Sequence, residues 1–420
     1  MRNVNNANLT DLVVFICAAN IPVMYLDGML ASKVGFDRFQ SLYFLATLSV
    51  AFGVAIIRSS RIPYWMLAAL LGIAISAIGA AFYWGAIVGL VKNVQFIVRG
   101  PLLYAVLFLL FVGKVSPAQV RFYAIITMAT VSTSTILHYL FSFGLAEKGG
   151  RANPILNGFL ADTNSAVFSL MFSGLALYHY ERSNMSRVAI AIVIFLNLAA
   201  LDSKSGILLM SAYAATKLYF ALGGRSFITR IVYSASLFLL SAAVILRPEV
   251  IITQIVQFAY SLSVKGQATL TIRLSSWDFL TIFSATRNLK FAELNQGYPI
   301  FESSFSFLFG RSFALFDTQN FIESDFFDVL FALGFVGLAS SLVLYFYPLF
   351  NSIKKGATGL ALPLLVLLAS STLLVGHTLF SPASVTTISI VSACVLTSAK
   401  RYSRKKTVRF HHPDVSLTNA

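Results

Sequence analysis

Cysteine is almost missing from this chain. Only Cys17 and Cys394 occur in 420 residues, each inside an apolar stretch. Two thiols so placed make no metal-binding spacing and no disulfide framework. Charge is scarce as well: 11% of residues are charged, whereas 57% are hydrophobic. A soluble domain carries about 25% charged residues, so this composition excludes an ordinary soluble globule. The mean hydropathy, +0.79, agrees. Acids are the scarcer sign, 16 against 31 bases, for a net charge of +15. That excess would suit nucleic acid, but its placement does not. The bases cap apolar segments and fill a short C-terminal stretch, where they would meet anionic lipid headgroups. Nucleic acid is therefore not an expected partner. No internal repeat and no low-complexity segment is evident. The first apolar stretch lacks a strongly basic start and a small-residue cleavage site, so no cleavable signal peptide is expected.

What is present is a ladder of apolar segments whose connectors alternate in character. One set carries Arg2, Arg58, Arg61, Lys114, Arg121, Arg182, Arg187, Lys217, Arg225, Arg230, Lys354, Lys355 and the tail bases from Lys400 to Arg409. Its only acids are Asp11, Glu181 and Asp414. The other set holds nearly all remaining acids, mixed with isolated bases. Cationic connectors stay cytoplasmic, so the mixed set is expected to face outward.

Crossing hydrocarbon takes about 20 apolar residues. By that measure about twelve spans are expected, near residues 10–31, 39–57, 64–90, 94–113, 119–143, 158–180, 187–201, 205–222, 228–246, 326–350, 357–380 and 385–399. Pro22 and Asp27 interrupt the first. An even count puts both termini in the cytoplasm, as Arg2 and the basic tail at 400–420 also require. The expectation is a single all-α membrane bundle over 1–420, with one large extracytoplasmic loop over 247–325. That loop keeps apolar periodicity, at Ile251, Ile252, Ile255, Val256 and Phe258 and again at Leu270, Leu274, Trp277 and Leu280. Amphipathic stretches of this kind lie in the interface or fold over the bundle.

Several polar residues are candidates for chemistry, each with a plainer alternative. Arg99 lies within the fourth span, before Gly100-Pro101. It faces a polar cavity at a kinked helix, or it reaches to headgroups from a span end. Arg151 precedes Asp162 and Asn164, which either line a polar site or cap the sixth span. Ser203-Lys204-Ser205-Gly206 offers donors to a phosphate or makes a polar hairpin; it lacks the glycine spacing of a Walker A loop. Arg273 and Trp277 share a helix face, suited to phosphate and sugar or to interfacial anchoring. Gly310-Arg311 is placed to close over a ligand. Glu323, Asp325 and Asp328 enter the tenth span. Asp325 and Asp328 share a face at i, i+3, so they suit acid–base work in a buried site or a solvated helix start. His377 near the outer end of the eleventh span joins the same layer or is a packed core histidine.

Together these stretches resemble the O-antigen polymerase and ligase family, the Wzy-type integral membrane glycosyltransferases. The resemblance runs through Arg151, Gly158-Phe159 and Asp162-Thr163-Asn164, then the turn Ser203-Lys204-Ser205-Gly206. It continues through Arg273 with Trp277, Gly310-Arg311, the acids Glu323, Asp325 and Asp328 ahead of Gly334 and Gly337, and His377. Thr163 stands where the family commonly has Pro, and Lys204 where it commonly has Arg. The paired Arg-x10-Gly loop motifs of some polymerases are absent.

The resemblance implies a GT-C-like fold in the bacterial inner membrane, with an active site facing the periplasm and neither metal nor other cofactor. It implies transfer of a growing glycan from undecaprenyl diphosphate to the sugar of another lipid-linked repeat unit. A chain-length regulator or a polysaccharide export complex is an expected further partner. The reaction needs cations to stabilise the leaving diphosphate, for which Arg99, Arg151, Lys204, Arg273 and Arg311 are the candidates. It needs a base for the acceptor hydroxyl, for which Glu323, Asp325, Asp328 and His377 are the candidates. Asp162, Asn164 and Trp277 are expected to line the site. The alternatives are a ligase transferring glycan to a lipid A core, and a flippase or transporter of lipid-linked sugars with no chemistry.

Overall fold

The computed structural model describes residues 6–35, 38–58, 61–141, 160, 163–201, 210, 213–215, 287–317, 324–374 and 378–411. Among them the structure is helical and no strand occurs. The helices are α1 (Asn6–Ala18), α2 (Asn20–Val34), α3 (Phe39–Ile57), α4 (Tyr64–Ala81), α5 (Ala86–Ile97), α6 (Leu103–Phe111), α7 (Pro117–Phe141), α8 (Thr163–Tyr180) and α9 (Asn184–Ala200). They continue as α10 (Arg287–Gly297), α11 (Ser304–Phe309), α12 (Asp325–Lys354), α13 (Thr358–Leu374) and α14 (Pro382–His411).

Seven helical runs among the described residues are long and apolar enough to cross a membrane: Leu9–Val34, Phe39–Ile57, Tyr64–Ala81, Ala86–Phe111, Pro117–His138, Asp325–Lys354 and Pro382–Lys400. Two shorter apolar helices, Asn184–Leu198 and Thr358–Leu373, accompany them. The expected eighth and ninth spans, 205–222 and 228–246, lie almost wholly outside the described residues. The sixth is the helix α8, buried without interruption from Ser165 to Leu177. A helix enclosed by protein needs no lipid-facing side, which is why it tolerates Ser165, Ser169 and Ser173 one turn apart.

Two boundaries differ from expectation. The third span ends at Ala81, not near residue 90, and the fourth starts at Ala86. A 3₁₀ turn, Phe82–Trp84, and Gly85 at φ +71° make the corner. The apolar run is continuous there, so hydropathy does not mark the turn; the left-handed backbone that glycine tolerates does. The first span carries its polar residues in buried contacts. Asn20 Nδ2 donates to Thr386 Oγ1 (3.2 Å) on α14. Asp27 Oδ1 accepts the Gln40 N–H (2.9 Å) in the first turn of α3.

The core sits around α12 and α14. The first packs against α4, α11 and α13, and the second against α6, α8 and α12. Along α14, Ser384, Thr386, Thr387, Ser389 and Ser392 are all fully buried. Thr386, Thr387 and Ser389 return their hydroxyls to the carbonyls of Pro382, Ala383 and Val385 (2.6–2.9 Å), which is how hydroxyl residues are carried inside an apolar bundle. The helix runs on to His411, so the first half of the expected basic tail continues a span.

Bases gather at one end. Arg121 pairs with Glu181 (3.4 Å), and Arg58 donates to Thr10 Oγ1 (3.1 Å). Burial, with Arg58 adding like-charge repulsion, pushes the Lys114 ammonium below its usual value, and burial with Lys400 does the same to Lys355.

Candidate functional site

At the start of α12 the chain turns from extended to helical at Ser324 (φ −137°, ψ 113°). Ser324 Oγ donates to the Leu373 carbonyl (2.9 Å), which fastens this start to the end of α13. Asp328 Oδ2 accepts the Ser324 N–H (3.2 Å), bridging the first turn. Asp325 reaches the other way: its Oδ2 accepts the N–H groups of Thr378 (2.7 Å) and Leu379 (2.9 Å), in the turn between α13 and α14. Asp325 is 2% exposed and Asp328 3%. Hydrogen bonds to ionised acceptors are among the strongest a protein makes, and they replace part of the water these carboxylates give up. The acids are therefore not a solvated helix start. Asp325 ties the start of α12 to the turn between α13 and α14, and Asp328 closes the first turn of α12 itself.

The turn Thr378–Phe380 is a crossroads. Its Leu379 carbonyl accepts the Tyr345 hydroxyl (2.7 Å) from α12. The Phe380 ring packs against Phe96 (5.7 Å) and Phe313 (5.4 Å). Gly100 presses against the same turn: a Cβ there would lie 2.6 Å from the Leu379 oxygen and 2.9 Å from the Phe380 ring. Only glycine permits this approach. Gly100 belongs to a π-turn, Val98–Leu102, inserted between α5 and α6 with Pro101 inside it. Proline removes a helical donor, and a π-turn is a common way to absorb the loss. Arg99, next to Gly100, is exposed halfway along the Ala86–Phe111 span, and no hydrogen-bond or ion-pair partner for it occurs among the described residues. Insertion scales put a charge at such a depth at about 2.5–3.5 kcal/mol, so a place like this is normally kept for function.

A second break lies in α12. Gly334 has φ +66° and ψ −170°, which splits the helix into two halves. The carbonyls released at the break are taken up by protein donors. Phe331 O accepts Arg311 N–H (2.7 Å), Ala332 O accepts Ser312 N–H (2.8 Å), and Leu333 O accepts Ser76 Oγ from α4. Gly310 and Gly334 meet face to face: a Cβ on either would come within 2.6 Å of the other segment's backbone atoms. Gly310 is thus a fixed joint and not a flap over a ligand.

The segment that makes this joint belongs to the expected outer loop. Among its described residues, Ile300, Ser306 and Phe313–Leu315 are buried, so this part folds into the bundle. Asn93 on α5 anchors it: Oδ1 accepts Ser312 Oγ (2.9 Å) and Phe313 N–H (2.8 Å), while Nδ2 donates to Ala77 O (2.8 Å) on α4. Ser312 is held at φ +73°, an uncommon position for a residue with a Cβ. Arg311 donates to Glu302 Oε2 (2.7 Å) and Pro299 O (2.7 Å) and lies over the Tyr83 ring (5.1 Å). Both hydrogen bonds leave from one terminal nitrogen, and the Glu302 partner is itself exposed.

The structure thus brings Asp325 and the π-turn that carries Arg99 onto one turn, through Thr378, Leu379 and Gly100, with Asp328 in the same first turn of α12 as Asp325 and Arg311 at the Gly310–Gly334 joint. Asn164 is half-buried in the first turn of α8. Arg151, Asp162, Lys204, Arg273, Trp277, Glu323 and His377 lie outside the described residues. Sequence reading missed Asn93, Ser76 and Ser312. The first two read as ordinary polar residues of apolar helices, and only the break opposite gives them partners. It also missed Lys92 and Gln95, which share a helix face with Arg99. Among the described residues no group of three His, Cys, Asp or Glu side chains is placed to hold a metal ion. No protein-family model matches the chain, and no curated protein matches it.

Proposed function

We propose that this chain is a membrane glycosyltransferase that polymerises undecaprenyl-diphosphate-linked oligosaccharide repeat units and releases undecaprenyl diphosphate. In this reading the chain sits in a bacterial inner membrane with both termini cytoplasmic, twelve spans, a GT-C-like arrangement and the reacting groups on the periplasmic side. The observation that carries it is the meeting, around the turn Thr378–Phe380, of buried Asp325 with the π-turn that presents Arg99.

The reaction breaks the bond between the anomeric carbon of the donor glycan and its diphosphate, and forms a bond from that carbon to an acceptor hydroxyl. The hydroxyl proton passes to a base, and the electron pair of the broken bond leaves with the diphosphate. A cation close to the leaving group lowers the barrier because it meets charge that develops only in the transition state. Arg99 suits that role; Arg151, Lys204 and Arg273 remain proposed partners in it. Asp325 Oδ2 is occupied by two backbone donors, so its part is to hold the turn. The base then falls to Glu323, Asp328 or His377. Arg311, already paired with Glu302, supports the joint and stays a secondary candidate for the diphosphate.

A transporter is the second reading, and the break in α12 favours it, since broken helices form the ion and substrate sites of many transporters. Here the carbonyls of Phe331, Ala332 and Leu333 each accept a hydrogen bond from protein. That leaves the break closed, which weighs towards the enzyme. Reconstitution of the purified protein with synthetic undecaprenyl-diphosphate oligosaccharide, with products separated by size, tests the proposal. A ladder of repeat units is the expected result. Substrate crossing the bilayer unaltered would replace the polymerase with a transporter. Product formed only after a lipid A core acceptor is added would make it a ligase.

A further inference from the structure

Residues 298–316 fall in the expected outer loop, yet their composition is not that of a loop in water. Seven of the nineteen are aromatic, and the only charged ones are Glu302 and Arg311. Those two pair with each other (2.7 Å). The helix just before is the opposite case. α10 carries Arg287, Lys290 and Glu293, and its Glu293 and Gln296 are exposed. Polarity therefore changes within a few residues, at Tyr298.

The rings form a band around α11. On one side Phe305 packs against Tyr83 at the corner between α4 and α5 (5.6 Å) and against Phe309 (4.8 Å). On the other, Phe307 stacks on Phe335 of α12 (5.6 Å) and meets Phe301 (5.7 Å). Tyr83, Phe301, Phe305, Leu308 and Phe335 all keep an exposed side. The band continues into the apolar faces of two membrane-length runs. Phe335 heads an exposed stripe on α12 that goes on through Val343, Tyr347 and Phe350. Those four lie within about 120° of one another around the axis. Past the corner, Ile87, Val88 and Val91 open the exposed face of α5. Polar groups within the band have protein partners: the Tyr83 hydroxyl and Ser303 Oγ share a hydrogen bond (3.0 Å), and Arg311 lies over the Tyr83 ring (5.1 Å). Rings with a thin polar edge suit the level where headgroups meet acyl chains.

We infer that α11 and its flanks are a lipid anchor in the leaflet opposite the basic end. Phe301, Phe305 and Leu308, with Tyr83 and Phe335, insert at the boundary between headgroups and acyl chains, while α10 stays in water. The occupant of this surface is the bilayer because the band prolongs two stripes that already face outward on membrane-length helices. The anchor also fixes the depth of the joint: Gly310 follows α11 directly, and Gly334 directly precedes Phe335. Both sides of the sealed break are thus tied to rings at the membrane surface. The inference is independent of the glycosyltransferase reading.

The test uses the unaltered full chain in nanodiscs of phosphatidylcholine that carries a photoactivatable diazirine near the top of its acyl chain, with peptide mapping of the label. Residues 298–309 should take about tenfold more label than residues 287–297, since only the former reach the acyl region. Little label in 298–309, or as much in 287–297, would overturn the anchor. A nitroxide on Phe305→Cys gives a second measurement. Cys17 and Cys394 are buried, and the unaltered chain put through the same labelling sets the background. At residue 305, collisions with oxygen, which concentrates in lipid, should outnumber those with a water-soluble nickel chelate. The order should reverse for Glu293→Cys on α10. Nickel access at residue 305 equal to that at residue 293 would mean that the band faces water. Weak access of both probes would mean that protein covers it, a second copy included. Either result overturns the anchor.

Discussion

Two membrane-length helices of this protein are broken at glycine, and they are broken in opposite ways. In α12 the break at Gly334 is sealed. Three freed carbonyls find donors from Arg311, Ser312 and Ser76, and Gly310 closes against Gly334 backbone to backbone. Between α5 and α6 the break at Gly100-Pro101 is packed on one side, against Leu379 and Phe380, while on the other side it presents exposed Arg99. Unsatisfied backbone is not tolerated in lipid, so irregular helix survives there only where protein or a polar cavity meets it. The sealed break shows what a structural irregularity looks like when its polar groups are all answered. The open one leaves a charge exposed, with no hydrogen-bond or ion-pair partner among the described residues.

The largest expected effect is at the sealed break. Gly334→Ala and Gly310→Ala each add a Cβ within 2.6 Å of backbone atoms at a positive φ. Strain and overlap together should cost about 3 kcal/mol or more. Loss of monodisperse protein in detergent on size-exclusion chromatography checks this, and a well-folded Gly334→Ala protein would show that the break is not a tight joint. Asp325→Ala comes next. It leaves the Thr378 and Leu379 N–H groups buried without that acceptor, for a loss of about 2–3 kcal/mol, read as a lower melting temperature. Asn93→Leu strips two hydrogen bonds from the segment that seals the break and a third from Ala77 O on α4, and about 2 kcal/mol is expected on the same measurement.

At the open break the comparison predicts the reverse pattern. Arg99→Gln should change stability by no more than about 0.5 kcal/mol, as for an exposed residue, while reducing polymer formation at least tenfold. A variant with a markedly lower melting temperature that still forms polymer at the wild-type rate while folded would make Arg99 structural and the two breaks alike. The smallest effect lies at the basic end. Lys114 loses its proton more easily folded than unfolded, so folded stability should rise slightly as pH climbs towards 10.5. Arg58→Gln should flatten that slope in a pH series of melting curves, because part of the depression comes from Arg58.

Much of the helical ladder was legible beforehand, and the reason is simple. A span is a local property: about 20 apolar residues with bases at one end declare themselves. Span boundaries near Ile57, Phe111, Lys354 and Lys400 match what hydropathy marks. The corner at Gly85 did not show, because a turn inside a continuous apolar run costs no change in composition. At the site, Asp325 and Asp328 stood out as acids at a span, yet their partners did not. Thr378 and Leu379 are about fifty residues away, and a backbone N–H leaves no signature in sequence.

What the sequence alone determined is the class of molecule: an all-helical chain with apolar segments fit for a membrane, bases segregated to one end, and a few polar residues held in apolar company. Those follow from transfer free energies that each segment carries by itself. Tertiary structure decided which polar residue does which job. It gave Asp325 two backbone partners at a turn, paired Arg311 with exposed Glu302, set Gly310 against Gly334, and left Arg99 exposed. Each outcome depends on a neighbour far along the chain, and such neighbours are chosen by packing, not by local composition.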